Sequence, residues 1–251
     1  MSAGDSGSGA RTAKMIVTID GPAGSGKSTA ARKLAARLHI PYLDTGAMYR
    51  VVTLAALEDG LDLGDEPALY ALAVGAPFEL DCRPTHVRVT LRGQDVTEEI
   101  RSMRVNDSTP YIAASPGVRQ VLVDKQRDIA RRLGRLVTEG RDQGSVAFPE
   151  ADIKFFLTAS LEKRAERRYH ELLAEGNEDV TLTGVLDNLR RRDRTDAARS
   201  VAPLVKPAGA VRIDTTHLSI QQVIEQMIEH LRCAGLISAD EAADASSPAH
   251  A

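Results

Sequence analysis

Apolar residues along the chain fall into two patterns. Short β-branched runs recur: Ile16-Val17-Thr18-Ile19-Asp20, Arg135-Leu136-Val137-Thr138-Glu139, Ile153-Lys154-Phe155-Phe156-Leu157 and Ala210-Val211-Arg212-Ile213-Asp214. With Tyr42-Leu43 after Pro41, ending at Asp44-Thr45-Gly46, they predict five core strands. Between them, apolar positions three and four apart predict helices over 30–38, 51–57 with Tyr49 and Arg50 at its start, 97–105, 116–133 and 220–231, with a mixed helical stretch over 60–76. A further helix follows Ser160, a candidate cap with Glu162 in its first turn. It carries Arg164, Arg167 and Arg168, and after a connection at 176–183 another helix runs into Arg190-Arg191-Arg192. Strands alternating with helices predict an α/β fold with a parallel sheet. One region departs from this: Phe78-Glu79-Leu80-Asp81 and Val87-Arg88-Val89-Thr90-Leu91 alternate with period two, with a turn at Gly93-Gln94. That predicts a small antiparallel sheet inserted into the α/β frame.

Composition narrows the class. The 251 residues are 43% hydrophobic and 27% charged with a formal net charge of −3, which suits one large globular domain. Aromatics make up 4% and there is no Trp, so no stacking platform for single-stranded nucleic acid is expected. Cys82 and Cys233 lie far apart and form no metal motif; two such thiols fit a reducing cytoplasm. No apolar run is long enough for a membrane span, and no apolar signal core is expected at the N-terminus. Residues 1–13 and 238–251 are rich in small and polar residues and are expected to be disordered tails flanking a domain over 14–237.

The stretch with the clearest chemistry is Gly21-Pro22-Ala23-Gly24-Ser25-Gly26-Lys27-Ser28-Thr29, which matches G-x-x-x-x-G-K-[ST]. A predicted strand precedes it and a predicted helix follows, as a phosphate-binding loop requires. Glycines let the backbone turn tightly and approach a ligand. Successive N–H groups and the helix N-terminus then face an anion. Lys27 supplies a mobile charge for β- and γ-phosphates, and the Ser28 hydroxyl can ligate Mg²⁺. A glycine-rich turn with a chance lysine is the bland alternative. The motif specifies a nucleoside triphosphate site, not the fate of the phosphate.

Other cations could complete a phosphoryl-transfer site. Arg50 is a candidate anion contact, or simply a solvated helix residue. The run Arg190-Arg191-Arg192-Asp193-Arg194-Thr195-Asp196-Ala197-Ala198-Arg199 has three readings: a solvated face with i,i+4 ion pairs, a nucleic-acid patch, or a catalytic clamp. Asp193, Asp196 and the acidic net charge oppose the second, because duplex binding needs uncompensated basic surface. For the third, Arg192, Asp196 and Arg199 are spaced i, i+4, i+7 and share one helix face, and phosphoryl transfer needs several cations on non-bridging oxygens.

The phosphate loop, Asp44-Thr45-Gly46-Ala47-Met48-Tyr49-Arg50, Gly140-Arg141-Asp142 with Gly144, Phe148-Pro149, and Arg190-Arg191-Arg192-Asp193 leading to Arg199-Ser200-Val201-Ala202-Pro203-Leu204 occur together and in order. The chain thereby resembles the bacterial cytidylate kinase family from about residue 16 to 231. The resemblance implies a nucleoside monophosphate kinase fold: a five-stranded parallel sheet with helices on both faces, a monophosphate-binding insertion at about 46–118, and a short lid at about 164–182 carrying Arg164, Arg167 and Arg168. It implies phosphoryl transfer from ATP to CMP or dCMP with Mg²⁺, in a cytoplasmic monomer with small-molecule partners only. By resemblance Lys27, Arg141, Arg192 and Arg199 serve catalysis. Thr45, Arg50, Arg119, Arg141, Asp142, Arg192, Asp196 and Arg199 form the CMP site. Within it Arg50, Arg141 and Arg199 hold the phosphate, Arg192 and Asp196 the sugar, and Arg119 and Asp142 the base. A carboxylate accepts from the cytosine amine and a guanidinium donates to O2 and N3, so the last pair makes physical sense. Asp142 has a plainer reading as a loop cap or the anchor of a magnesium-bound water. Gln143 and Ser145 differ from the family's usual residues, and Pro110 stands where a base-contacting Ser is common, with Thr109 or Ser108 as substitutes. Two rival functions remain open from sequence: a kinase for UMP or another small acceptor, and a nucleotide-operated switch. The latter's Asn-Lys-x-Asp motif does not occur.

Overall fold

The computed structural model describes residues 14–174, 176–177, 179–198, 203–238 and 241. Five parallel strands form the central sheet: β1 (Met15–Asp20), β2 (Tyr42–Asp44), β6 (Arg135–Gly140), β7 (Ile153–Thr158) and β8 (Val211–Asp214), in the order β2-β6-β1-β7-β8. Val17, Ile19, Leu43, Leu136, Val137, Phe155 and Leu157 are buried on these strands. Such near-continuous apolar runs are what a sheet covered on both faces demands. The helices are α1 (Lys27–Arg37), α2 (Thr45–Glu58), α3 (Glu66–Gly75), α4 (Met103–Ala114), α5 (Pro116–Leu133), α6 (Leu161–Ala174), α7 (Leu182–Ala198) and α8 (Ile220–Cys233). Ser160 caps α6 as expected, accepting from the Lys163 N–H at 3.1 Å.

The inserted sheet is also present, as β3 (Phe78–Cys82), β4 (Val87–Leu91) and β5 (Gln94–Asp95), all antiparallel. Val87, Val89 and Leu91 bury one face of β4 while Arg88 stays exposed, so the period-two signal reports a half-covered sheet. The turn sits one residue earlier than expected. Arg92 and Gly93 take φ of 52° and 81°, a two-residue turn that matches strand twist, and Gln94 already belongs to β5.

Two helix boundaries move, each for a local reason. The helix expected to begin at Tyr49 and run through 51–57 starts at Thr45, because Asp44 caps it by accepting from the Ala47 N–H at 2.9 Å. Thr45 and Gly46 are therefore its first turn rather than a loop. The helix expected over 97–105 splits into a 3₁₀ turn at Glu99–Arg101 and α4, with Ser102 extended between them. Pro110 lies inside α4, which its missing N–H should weaken; buried Val105 and Ile112 hold the helix by packing. Ser238 and Glu241, assigned to a disordered tail, instead bond to each other, and Glu241 reaches Arg135 at 3.3 Å. The rest of that tail and residues 1–13 lie outside the described residues, and Ile237, the last residue of the expected domain, is buried.

Register fixes what the sheet offers at its C-terminal edge. Asp20 pairs with Gly140 and Asp44 with Glu139, so the ends of β1, β2 and β6 bring three acidic residues side by side. The carboxyl ends of parallel strands are where open α/β sheets bind ligands.

Candidate active site

The phosphate loop leaves β1 at Gly21 and enters α1 at Lys27. Gly21 has φ 148°, and a Cβ there would lie 2.1 Å from the Leu157 carbonyl oxygen, so no side chain fits. Gly26, at φ 87°, precedes α1 in the left-handed region and offers no side-chain cap. The free N–H groups of that helix end therefore face the loop. Lys27 is buried and donates from Nζ to the Pro22 carbonyl at 2.8 Å, curled over the loop. Burial, then the Arg141 charge, push its ammonium down to about 7, with Glu139, Asp20 and Asp196 pulling the other way.

Ser28 Oγ donates to Glu139 Oε1 at 2.8 Å. The Glu139 carboxyl is raised, by burial first and Asp44 second, while Lys27, the Ser28 bond and Arg141 oppose. A hydroxyl and a carboxylate beside the phosphate loop are the hard oxygen donors that Mg²⁺ takes alongside substrate phosphates. The donor set fits that ion. Among the described residues no cluster of three His, Cys, Asp or Glu could hold a metal by itself.

Near the ends of β2 and β6, Arg50, Arg119 and Arg141 are each held by a carboxylate. Arg50 donates to Asp44 Oδ2 at 2.9 Å, and Arg101 lies 3.8 Å from the same oxygen. Arg141 Nε donates to Asp196 at 2.9 Å. Arg119 and Asp142 form a buried ion pair, and Arg119 lies over the Tyr49 ring, 5.7 Å from its centroid. Thr45 Oγ1 donates to the Glu139 carbonyl at 2.7 Å and so ties the start of α2 to β6. Arg192 shares this neighbourhood. The surrounding protein, then Arg141, Arg168 and Arg50, lower its guanidinium, while Asp196 raises it. Asp196 on α7 thus meets Arg141, and Arg192, one turn earlier on the same face, feels the charges of Arg141 and Arg50. Arg199 lies outside the described residues.

The loop carrying Arg141 and Asp142 closes in a five-residue π turn, Gln143–Ala147. The Asp142 carbonyl accepts from Val146 and Ala147, and Arg127 on α5 donates to the carbonyls of both. Beneath it Thr138, Gln143 and Gln126 form a buried chain of hydrogen bonds of 3.0 and 3.2 Å. Gln143, a departure in the sequence, is thus a fixed anchor. Thr109 has turned from the cleft: its hydroxyl donates to the Val105 carbonyl and meets Thr53 on α2.

Two expected lid arginines are tethered to the body. Arg164 is buried, pairs with Asp193 at 2.7 Å and donates to the Ala23 carbonyl at 3.0 Å. Arg167 grips Thr215, whose hydroxyl donates to the Ser25 carbonyl. Both support the phosphate loop from behind. Arg168 pairs with Glu171 at 3.1 Å. Sequence reasoning missed Asp20, Glu139, Arg101 and Asp193. Asp20 and Glu139 carried a readable signal: each is an acid ending an otherwise apolar buried strand.

The sequence profile of the cytidylate kinase family matches residues 17–233. Cytidylate kinase of Rhodococcus opacus is 46% identical over 217 residues, covering 86% of this chain and 94% of that one. Cytidylate kinase of Caldanaerobacter subterraneus subsp. tengcongensis is 46% identical over 216 residues, with the same coverage of each chain. Cytidylate kinase of Pseudomonas savastanoi pv. phaseolicola is 44% identical over 223 residues, covering 88% and 96%.

Proposed function

The chain belongs to the cytidylate kinase family, and from that premise we propose how its cleft performs the family's reaction. The chain is an enzyme that moves the γ-phosphoryl group of ATP to CMP or dCMP. A phosphate oxygen of the acceptor attacks the γ-phosphorus, the bond from that phosphorus to the β-bridging oxygen breaks, and CDP or dCDP and ADP result. Protein groups need only position the reactants and stabilise charge.

Residues 21–29 take the ATP phosphates on backbone N–H groups. Lys27 leaves the Pro22 carbonyl for the phosphate oxygens, where its charge is fully formed again. Ser28, backed by Glu139, would hold Mg²⁺, which supplies charge neutralisation on those oxygens. Arg50, Arg141, Arg192 and Arg199 take the acceptor phosphate and the transferred group, with Asp196 and Arg192 on the sugar. Thr45 keeps the start of α2 in place for Arg50. Arg119 and Asp142 read cytosine, their donors and acceptor matching N3, O2 and the amine. The acceptor region spans about 46–118 and the lid about 164–182. Its fixed end is the tether of Arg164 and Arg167, and closure falls to the stretch beyond.

The observation that carries this reading is the buried Arg119–Asp142 pair at the end of β6, opposite the phosphate loop. A buried ion pair adds little net stability over a packed apolar pair, so its position suits recognition. A coupled ADP-release assay with CMP, dCMP and UMP tests it. CMP and dCMP should support turnover, with kcat/KM for CMP roughly tenfold or more above UMP. Equal efficiency with UMP would overturn cytosine reading, and acceptor-independent ADP release would overturn the transfer reaction itself.

A further inference from the structure

Asp20 is the last residue of β1 and fully buried. Its two carboxylate oxygens accept from the backbone N–H groups of Gln143 and Gly144, at 2.8 and 2.7 Å. These are the two residues that follow Arg141 and Asp142. Its other chain neighbour is Gly21, which opens the phosphate loop and has no room to shift against Leu157. The 140–144 loop lies just as tightly on β1: a Cβ on Gly144 would stand 2.9 Å from Thr18 Oγ1. One side chain therefore fastens the acceptor-side loop to the base of the donor-side loop.

A buried carboxylate is a costly way to end a strand unless something requires it. The cation whose charge favours its ionised form, Lys27, donates to the Pro22 carbonyl instead. Two convergent backbone N–H groups are the requirement visible here, because a carboxylate accepts both at once. We propose that Asp20 is a positioning residue for the acceptor: it fixes Arg141 and Asp142 in register with the phosphate loop, and so sets acceptor affinity and base selection without touching either nucleotide. This rests on the assignment of Arg141 and Asp142 above.

Asp20→Asn separates this role from a merely structural one. The amide keeps the shape and one acceptor oxygen, but turns its NH₂ toward the second backbone N–H. KM for CMP should rise about tenfold and the CMP:UMP ratio of kcat/KM should fall, with KM for ATP within about threefold of wild type. Parallel rises in KM for CMP and ATP, or an unchanged CMP:UMP ratio, would overturn the proposal. If the wild type itself does not favour CMP over UMP, base reading has failed; the split between KM for CMP and KM for ATP then still decides the role of Asp20. Should the variant not fold, amide hydrogen exchange on the wild-type protein decides instead. The Gln143 and Gly144 amides should be protected like those of β1 and β6, and exchange at exposed-loop rates would show that the tether is not formed.

Discussion

In the function proposed above, the backbone of residues 21–29 does the binding on the donor side, whereas around Arg50, Arg119 and Arg141 side chains do it. The phosphate loop is finished before any ligand arrives: glycine geometry, an uncapped helix end, and two arginines behind it on Ala23 and Thr215. Such preorganised donors need no rearrangement at the moment of reaction. On the acceptor side Asp44 holds Arg50, Asp196 holds Arg141 and Asp142 holds Arg119. These pairs bring several guanidiniums together beside balancing carboxylates, and on the proposed reading an acceptor phosphate must compete with Asp44 for Arg50 and with Asp196 for Arg141. On that reading the donor site is local and rigid, while selectivity is proposed to reside in pairs of side chains that exchange partners.

The largest expected effect strikes the rigid side. Lys27→Ala removes the one mobile charge from an otherwise fixed loop. Turnover should fall by at least ~10²-fold, as for loss of one preorganised electrostatic donor, with circular dichroism unchanged. Near-normal turnover in the purified variant would contradict the phosphate-loop assignment.

A smaller effect is expected on the selective side. Asp142→Asn keeps an acceptor for Arg119 but can offer an N–H to O4 of uracil. The CMP:UMP ratio of kcat/KM should shrink by roughly tenfold, even as both rates drop. If both acceptors lose the same factor, Asp142 does not read the base and serves the loop alone. Asp142→Ala should in addition lower stability by about 3–5 kcal/mol, because it strands a buried guanidinium; chemical denaturation measures this.

The mildest test is titration. Lys27, pushed down to about 7 mainly by burial and then by Arg141, is charged below that pH and neutral above it. ATP affinity of the free enzyme should therefore weaken as pH rises from about 7 to 9, and the trend should vanish in Lys27→Ala. Stability moves in the opposite sense. The folded state disfavours the ammonium relative to its unfolded value of 10.5, so the penalty is complete below about 7 and fades as pH rises toward 10.5. Lys27→Met should accordingly raise the melting temperature more at pH 6 than at pH 9, and an equal gain at both would contradict the depressed value.

The sequence by itself determined whatever depends on contiguous residues. The phosphate loop needs only a strand, nine residues and a helix, and all three lie within residues 15–37. The strands were legible because burial on both faces leaves an apolar run, and β3 and β4 because burial on one face leaves alternation. Which charges meet was decided by the tertiary structure alone. Arg141 finds Asp196 55 residues away, Ser28 finds Glu139 at 111, and Asp20 finds Gln143 at 123. Helix and strand periodicity place a side chain on a face of its own element, while strand order and register choose the element it faces. That is why Arg164 read as part of a lid and sits under the phosphate loop, and why Asp20 and Glu139 read as the ends of strands and instead tie the 140–144 loop and Ser28 in place.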